Sequence, residues 1–199
     1  KFDNHSDWVL RTLWLAGGDR VLSGGRDRAM KLIDARSGQF IDDVNKLIEP
    51  VTSLARHPKE EWAAYGGAEG GLRIYRMKEN QERTAANNDV NRVREFERQP
   101  GPVGAVAFSP DGAWLAAGGM GGEVRVYQTA DGKRVATLPG HEGAVFAVAF
   151  SPEGSRLYTG GFDGLVRIFD PAQGRLLGVL APVTVVPAAA QTAAATPAK

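Results

Sequence analysis

The sequence contains no cysteine among its 199 residues, so disulfide bonds, thiolate metal sites and covalent haem attachment are excluded within it. Its three histidines, at positions 5, 57 and 141, are too widely spaced for a metal-ligand motif. No apolar run reaches the length of a membrane span, and no signal peptide is visible. The 24 basic and 23 acidic residues almost cancel, so no polyanion-binding surface is indicated. We therefore expect no metal, no cofactor, no nucleic-acid partner and no membrane insertion. The localisation is not indicated.

Glycine and proline are plentiful instead, with 25 and 11 residues, which favours short strands joined by tight turns. A unit containing a basic residue between apolar neighbours recurs along the chain, at Lys31, Arg73, Arg125 and Arg167. Successive markers lie 42, 52 and 42 positions apart. A nearly fixed spacing of this length is typical of a repeat protein. The longer step contains the polar segment 78–91, which we interpret as an enlarged, solvated loop.

Two further signals recur with the same unit. A Ser-Pro-x-Gly turn stands at 109–112 and again, 42 positions later, at 151–154. A Gly-Gly pair precedes each basic marker, at 24–25, 66–67, 118–119 and 160–161. We interpret these pairs as part of glycine-rich hairpin turns. Short apolar segments between such signals predict several antiparallel strands in each unit.

The stretch from Gly140-His141 to Phe169-Asp170 resembles one WD40 repeat, whose signature runs from Gly-His to Trp-Asp, with Phe169 in the tryptophan's place. The resemblance covers roughly residues 2–180. It implies an all-β fold, a WD40-type β-propeller of four consecutive four-stranded antiparallel blades in a partial or open ring. The expected blades are about 2–44, 45–97, 98–138 and 139–180, and an irregular Ala/Pro/Thr-rich linker or tail fills 181–199.

The resemblance also implies a structural tetrad of hydrogen-bonded side chains in each intact blade. Its candidate members are His5, Ser23 and Asp27 in blade 1, and His141, Thr159 and Asp163 in blade 4. The same residue types form catalytic triads, but an active site has no reason to recur at a 42-residue period. We therefore interpret both sets as structural and predict no catalytic residue.

The tryptophan position of the tetrad holds Ile33 in blade 1 and Phe169 in blade 4, which have no side-chain N–H. At most three members are therefore expected in these blades. The corresponding positions are Leu47, Tyr65 and Glu69 in blade 2, and Gln99, Ala117 and Gly121 in blade 3. These two blades lack the set, and apolar packing alone is expected to hold them.

In the WD40 family, partners most often bind the face that carries the loops from strand d to strand a and from strand b to strand c. Carried onto this sequence, the contact positions with large side chains are Trp8, Leu10, Arg26, Met120, Phe146 and Phe162. Among them, Trp8, Met120, Phe146 and Phe162 would form an apolar, aromatic patch suited to a protein or peptide partner. The alternative is that Trp8 and Phe146 pack between blades.

Propellers generally close with about four to eight blades, and four of this type would leave both end blades with a bare apolar face. We expect these faces to be covered by further blades of the same chain, by a second copy or by another subunit. The chain starts inside a repeat, which favours the first cover and indicates a fragment or processed product.

The sequence thus predicts a non-catalytic protein-interaction scaffold, not an enzyme, within a larger chain or complex. The alternative is an auxiliary propeller of a multidomain bacterial redox protein, fused to a c-type cytochrome. A propeller enzyme is a third reading, disfavoured because strand a begins with small residues in most units.

Overall fold

The computed structural model describes residues 4–77 and 89–181. All regular secondary structure in these residues is β, and no helix there is long and apolar enough to cross a membrane. Blade 1 comprises β1 (Val9–Trp14), β2 (Arg20–Gly25), β3 (Ala29–Asp34) and β4 (Phe40–Lys46). Blade 2 comprises β5 (Val51–Arg56), β6 (Trp62–Gly67), β7 (Leu72–Arg76) and β8 (Arg92–Glu95).

The second half of the chain repeats this order. Blade 3 comprises β9 (Val103–Phe108), β10 (Trp114–Gly119), β11 (Val124–Gln128) and β12 (Arg134–Leu138). Blade 4 comprises β13 (Val145–Phe150), β14 (Leu157–Gly161), β15 (Val166–Asp170) and β16 (Arg175–Leu180). Each blade is one antiparallel sheet with its strands in chain order, which confirms the predicted four-bladed, all-β architecture. Predictions for the loop at 78–88, the tail after 181 and the first three residues lie outside the described residues.

The Ser-Pro-x-Gly turns join the first two strands of blades 3 and 4. In blade 3, the Ser109 hydroxyl contacts Asp111 at 2.5 Å and accepts from the Trp114 N–H at 2.9 Å. Gly112 donates to the Ser109 carbonyl at 2.9 Å and has a φ of +79°, which favours glycine. The turn is therefore closed by its own side chain and by its glycine.

Apolar side chains fill the three spaces between successive blades. The first space holds Leu22, Met30 and Leu32 of blade 1 and Tyr65, Tyr75 and Met77 of blade 2. The second holds Ile74, Leu72, Phe96, Leu115 and Tyr127, and the third holds Val124, Val126, Leu138, Leu157 and Phe169. Each inner blade therefore buries both faces of its sheet, which explains why its strands are apolar without strict alternation.

The Gly-Gly pairs lie at the ends of the second strands and not in the turns, so the hairpin-turn interpretation was wrong. The first strand of the next blade begins with a valine. A Cβ on Gly24, Gly66 or Gly118 would lie 2.6–2.7 Å from Cγ1 of that valine. Those valines are Val51, Val103 and Val145. In blades 1 to 3 the first glycine of the pair is required because the neighbouring blade approaches closely, not because of a special φ.

The arc of blades does not close on itself within the described residues. The first strands of the blades contact one another in chain order, β1 with β5, β5 with β9 and β9 with β13. Leu180 on β16 is 53 % exposed, whereas Leu138, which is paired at the same register position on β12, is fully buried by blade 4. Blade 1 likewise exposes Trp14 and Phe40 on its outer side. Each end blade thus has one uncovered face.

Blade 4 offers an internal control for the close approach at the glycine pairs. Replacing Gly118 by Ala places a Cβ 2.7 Å from Val145 Cγ1, so we expect a loss of about 1–3 kcal/mol in the free energy of unfolding. Gly160 occupies the same repeat position, but a Cβ there meets only Ala147 at 3.8 Å. Gly160→Ala is expected to change stability by less than about 0.5 kcal/mol. Urea denaturation of both variants measures the difference, and equal losses would contradict the packing account.

Candidate interaction surface

One backbone hydrogen bond recurs at the same end of every blade. The residue after the second strand donates to a carbonyl near the start of the first strand, Arg26 to Trp8 and Phe162 to Ala144, both at 2.8 Å. The same contact joins Ala68 to Pro50 at 3.0 Å in blade 2 and Met120 to Pro102 at 2.8 Å in blade 3. The turn between the second and third strands is thereby fixed beside the loop that enters the blade. We call the end carrying these turns the loop face.

Large apolar side chains project from this loop face. Phe162 is 76 % exposed and Trp8 is 70 % exposed, and Phe146, Met120 and Leu10 are also exposed. The guanidinium carbon of Arg26 lies 5.6 Å from the centroid of the Trp8 ring, within cation–π range. The six predicted contact residues are therefore accessible in the arc of four blades.

At two other loop-face positions, in blades 2 and 3, the residue contacts the next blade and is not free to project outward. The Thr52 hydroxyl lies 2.8 Å from the Gly66 carbonyl and 2.7 Å from the Val103 carbonyl of the next blade. At the same position of blade 3, a side chain on Gly104 would collide with the Val145 carbonyl. Contacts between blades therefore determine these residues, which leaves the large exposed groups mainly to the end blades.

Beneath the loop face, the structure brings His5, Ser23 and Asp27 together in blade 1. His5 Nδ1 donates to the Asp27 carboxylate at 2.9 Å, and Nε2 lies 2.8 Å from Ser23 Oγ. Asp27 also accepts the backbone N–H of Ser6 at 3.0 Å. This network ties the entry loop of the blade to the turn after β2, so it positions the backbone that carries Trp8 and Arg26.

Blade 4 contains the matching set and a fourth member that the sequence analysis missed. His141 Nε2 lies 2.8 Å from Thr159 Oγ1, and Nδ1 lies 3.2 Å from the Asp163 carboxylate. Arg167 Nη1 lies 2.8 Å from His141 Nδ1 and 2.5 Å from Asp163 Oδ2. The expectation of at most three members is therefore wrong for blade 4, where the basic marker Arg167 is the fourth member. In blade 1 the basic marker Lys31 pairs with Asp43 instead.

The protonation states follow from these surroundings. Burial lowers the pKa of His141, and the hydrogen bond with Asp163 opposes this effect only in part. Burial alone would raise the pKa of Asp163, but hydrogen bonds from Arg167 and from two backbone N–H groups lower it well below its usual range. The neutral imidazole and the ionised carboxylate are thus the favoured forms.

Blade 2 carries a polar network where apolar packing alone was expected. Glu49, and not Leu47, lies beside the second glycine of the pair, as the histidines do in blades 1 and 4. Its fully buried carboxylate accepts from the Glu69 N–H at 2.6 Å and contacts the Tyr65 hydroxyl at 3.4 Å. The loop is two residues shorter here, since Glu49 precedes Gly67 by 18 positions and His5 precedes Gly25 by 20. Counting back 20 positions from Gly67 gives Leu47, so the sequence spacing alone did not reveal Glu49.

Each basic marker also forms an ion pair within its own blade. The acidic partners are Asp43 for Lys31, Glu95 for Arg73, Glu123 for Arg125 and Asp163 for Arg167, at 2.5–2.9 Å. In blade 3, Gln99 takes the histidine position and donates to the Ala117 carbonyl at 3.1 Å. Two of these markers also contact the polar networks below the loop face, Arg73 through the Tyr65 hydroxyl and Arg167 through His141.

The burial of these networks argues against a role for Ser23 or Thr159 as a catalytic nucleophile. Thr159 is only 1 % exposed and Ser23 is 4 % exposed. A nucleophile must be reachable by its substrate, and neither hydroxyl is. Within residues 4–77 and 89–181, no cluster of three or more His, Asp or Glu side chains could hold a metal ion.

Comparison with known proteins identifies two repeats in the second half of the chain. The family model described as "WD domain, G-beta repeat" matches residues 90–128 and 132–170. These two segments are WD40 repeats. Each matched WD40 repeat begins near the last strand of one blade and ends with the third strand of the next, β8 to β11 and β12 to β15. A sequence repeat therefore spans two blades and links them covalently.

Two curated proteins illustrate what the chain is similar to. The WD40 chain is 29% identical over 115 residues to serine-threonine kinase receptor-associated protein of Homo sapiens, a match covering 57% of this chain and 29% of that protein. It is 25% identical over 126 residues to eukaryotic translation initiation factor 3 subunit I of Botryotinia fuckeliana, covering 58% and 35%. The match thus spans about a third of these relatives. WD40 repeats in general support a protein-interaction role.

Removing the blade 4 imidazole tests the structural reading of this network. His141→Ala leaves the buried Thr159 hydroxyl and the Asp163–Arg167 pair without their shared partner, so the free energy of unfolding should fall by about 1–3 kcal/mol. Thermal and urea unfolding measure the change. Glu142→Ala, at the exposed neighbouring residue, serves as the control and should change stability by less than about 0.5 kcal/mol. An unchanged melting temperature for His141→Ala would argue against the structural reading.

Proposed function

We propose that this WD40 protein is a non-catalytic scaffold that binds a protein or peptide partner on its loop face, within a larger chain or complex. The observation that carries the proposal is the exposure of Trp8 and Phe162 on turns whose backbone is fixed by hydrogen bonds. Exposed aromatic side chains on a rigid support lose little conformational entropy on binding, and they dominate the energetics of many interfaces.

The names of the relatives agree with such a role. One is a receptor-associated protein and another is a subunit of a translation initiation factor, so both names describe association with other proteins. The polar networks below the loop face support the same function, because they hold the turns in place without offering a reachable nucleophile. Recognition by preformed loops requires little rearrangement of the binding surface.

Site-specific photo-crosslinking tests the proposal. A photoreactive amino acid replaces Phe162 on the loop face or, as the matched control, Lys133 in a turn at the opposite end of blade 3, where the side chain is 81% exposed. In extract of the source cells, the position 162 chain should crosslink a discrete partner and the position 133 chain should not.

Competition supplies the specificity control for this experiment. Excess unlabelled wild-type chain should abolish the crosslink, whereas the Trp8→Ser, Phe162→Ser double variant should compete at least about tenfold less well, since two aromatic contacts are lost. Equal crosslinking at both positions, or equal competition by the double variant, would remove the loop face as the partner-binding surface.

The uncovered faces of the end blades support the second part of the proposal, assembly with a further blade. At the internal interfaces, the turn between the last two strands packs against the last strand of the preceding blade, as Gly174 does against Ala136 and Leu138. In blade 1 the same turn, residues 34–38, lines an open cavity of about 320 Å³ with Trp14, Val21 and Ile33. The cavity therefore matches the seat of an outer strand from another blade, whether of the same chain, a second copy or another subunit.

Charges placed on this face should suppress self-association of the isolated chain. Trp14→Glu combined with Phe40→Glu removes the exposed apolar ends of one cross-strand row on blade 1. We expect the wild-type chain to associate with rising concentration in sedimentation experiments, and the variant to remain monomeric. Phe162→Glu, on the loop face, is the control and should associate as the wild type does. A wild-type chain that stays monomeric and binds no hydrophobic dye would contradict the proposed assembly face.

A further inference from the structure

Arg28 has a backbone conformation that stands out in the described part of the chain. Its φ is +63°, and no other non-glycine residue described there has a positive φ. It closes the turn after β2, with its N–H 3.4 Å from the Gly25 carbonyl. The other three blades place glycine at this position, Gly70, Gly122 and Gly164, with φ values from +73° to +92°. The turn therefore favours glycine, and an arginine there lowers stability.

The Arg28 side chain makes no contact with the described residues that would compensate for this strain. The residue is exposed, and its guanidinium makes no hydrogen bond or ion pair with any residue that the structure describes. Strained backbone that folding does not require is concentrated at functional sites. The side chain is therefore available to a partner outside the chain.

The surroundings of Arg28 indicate what such a partner contains. Arg26, two residues earlier in the same turn, is also exposed and lies against the exposed Trp8 ring. Asp27 between them faces inward to His5, so its carboxylate is already bonded. Asp7 is the remaining acidic neighbour, and its carboxylate is 3.6 Å from Arg26 Nε. Blade 1 thus presents two guanidinium groups and one indole ring.

The other blades carry no charge at the equivalent turn positions. Those positions are Ala68 and Gly70 in blade 2, Met120 and Gly122 in blade 3, and Phe162 and Gly164 in blade 4. The basic character is therefore specific to blade 1 and is not a property of the repeat. A guanidinium group binds a carboxylate through paired, charge-assisted N–H donors, more strongly than it binds a neutral amide.

We propose that the blade 1 turn binds an acidic segment of the protein partner, with Arg26 and Arg28 on its carboxylates and Trp8 on an adjacent apolar side chain. This inference rests on the proposed function and names the chemistry of the partner. It explains why the strained residue is an arginine, because glycine would relieve the strain and remove one of the two carboxylate-binding groups.

Fluorescence anisotropy with labelled peptides tests the proposal on the whole chain. The probe is a short peptide of alternating glutamate and leucine, and its matched peptide has glutamine in place of every glutamate. The acidic peptide should bind roughly tenfold more tightly than the amide peptide, and raising the salt concentration should weaken only the acidic peptide. Equal affinities, no measurable binding of the acidic peptide, or equally tight binding of a single-stranded oligonucleotide would overturn the proposal.

Arg28→Gly separates the binding role from any structural role. It should raise the melting temperature by about 2–4 °C, because the turn strain is relieved, and weaken acidic-peptide binding roughly tenfold. Arg36→Gln, in the turn at the opposite end of blade 1, removes the same charge and should leave binding unchanged. Undiminished acidic-peptide binding by Arg28→Gly refutes the assignment. If this test fails but crosslinking at position 162 persists, the loop face remains the interaction surface. Only the proposal that Arg26 and Arg28 bind carboxylates is then rejected.

Discussion

The packing of sheet faces between neighbouring blades is the interaction on which the rest of this structure depends. Each four-stranded sheet is apolar on both faces, so it is stable only where another sheet covers it. Tyr65, Tyr127 and Phe169 are buried because a preceding blade lies against them. The end blades have the same composition but only one neighbour, which accounts for the exposed Trp14 and Leu180.

The same close packing shapes the loop face. In blades 1 to 3 the first glycine of the pair lets the next blade approach. In all four blades the second glycine leaves room for a polar side chain from the entry loop, His5 or His141 among them. Hydrogen bonds from those side chains then fix the turn above. The exposed residues of the loop face are therefore those that packing does not constrain, and they differ from blade to blade while the architecture repeats.

The fold could be predicted from the sequence because the repeat places the same turn and strand signals at nearly constant spacing. The polar networks were only partly predictable. Glu49 was missed because the entry loop of blade 2 is two residues shorter, which shifted the aligned position to Leu47. Arg167 was missed because it had served only as a spacing marker, and a spacing does not show how far a long side chain reaches. The strain at Arg28 depends on a backbone angle that the residue type does not suggest.

Residue-resolved hydrogen exchange on the monomeric chain tests the central packing claim most directly. Strands β12 and β16 occupy the same place in blades 3 and 4, but only β12 is covered by a following blade. The account predicts slow exchange in β12 and in the inner strands of blades 2 and 3, and much faster exchange in β16. Equal protection of β12 and β16 would contradict it, because blades would then be stable without a neighbour.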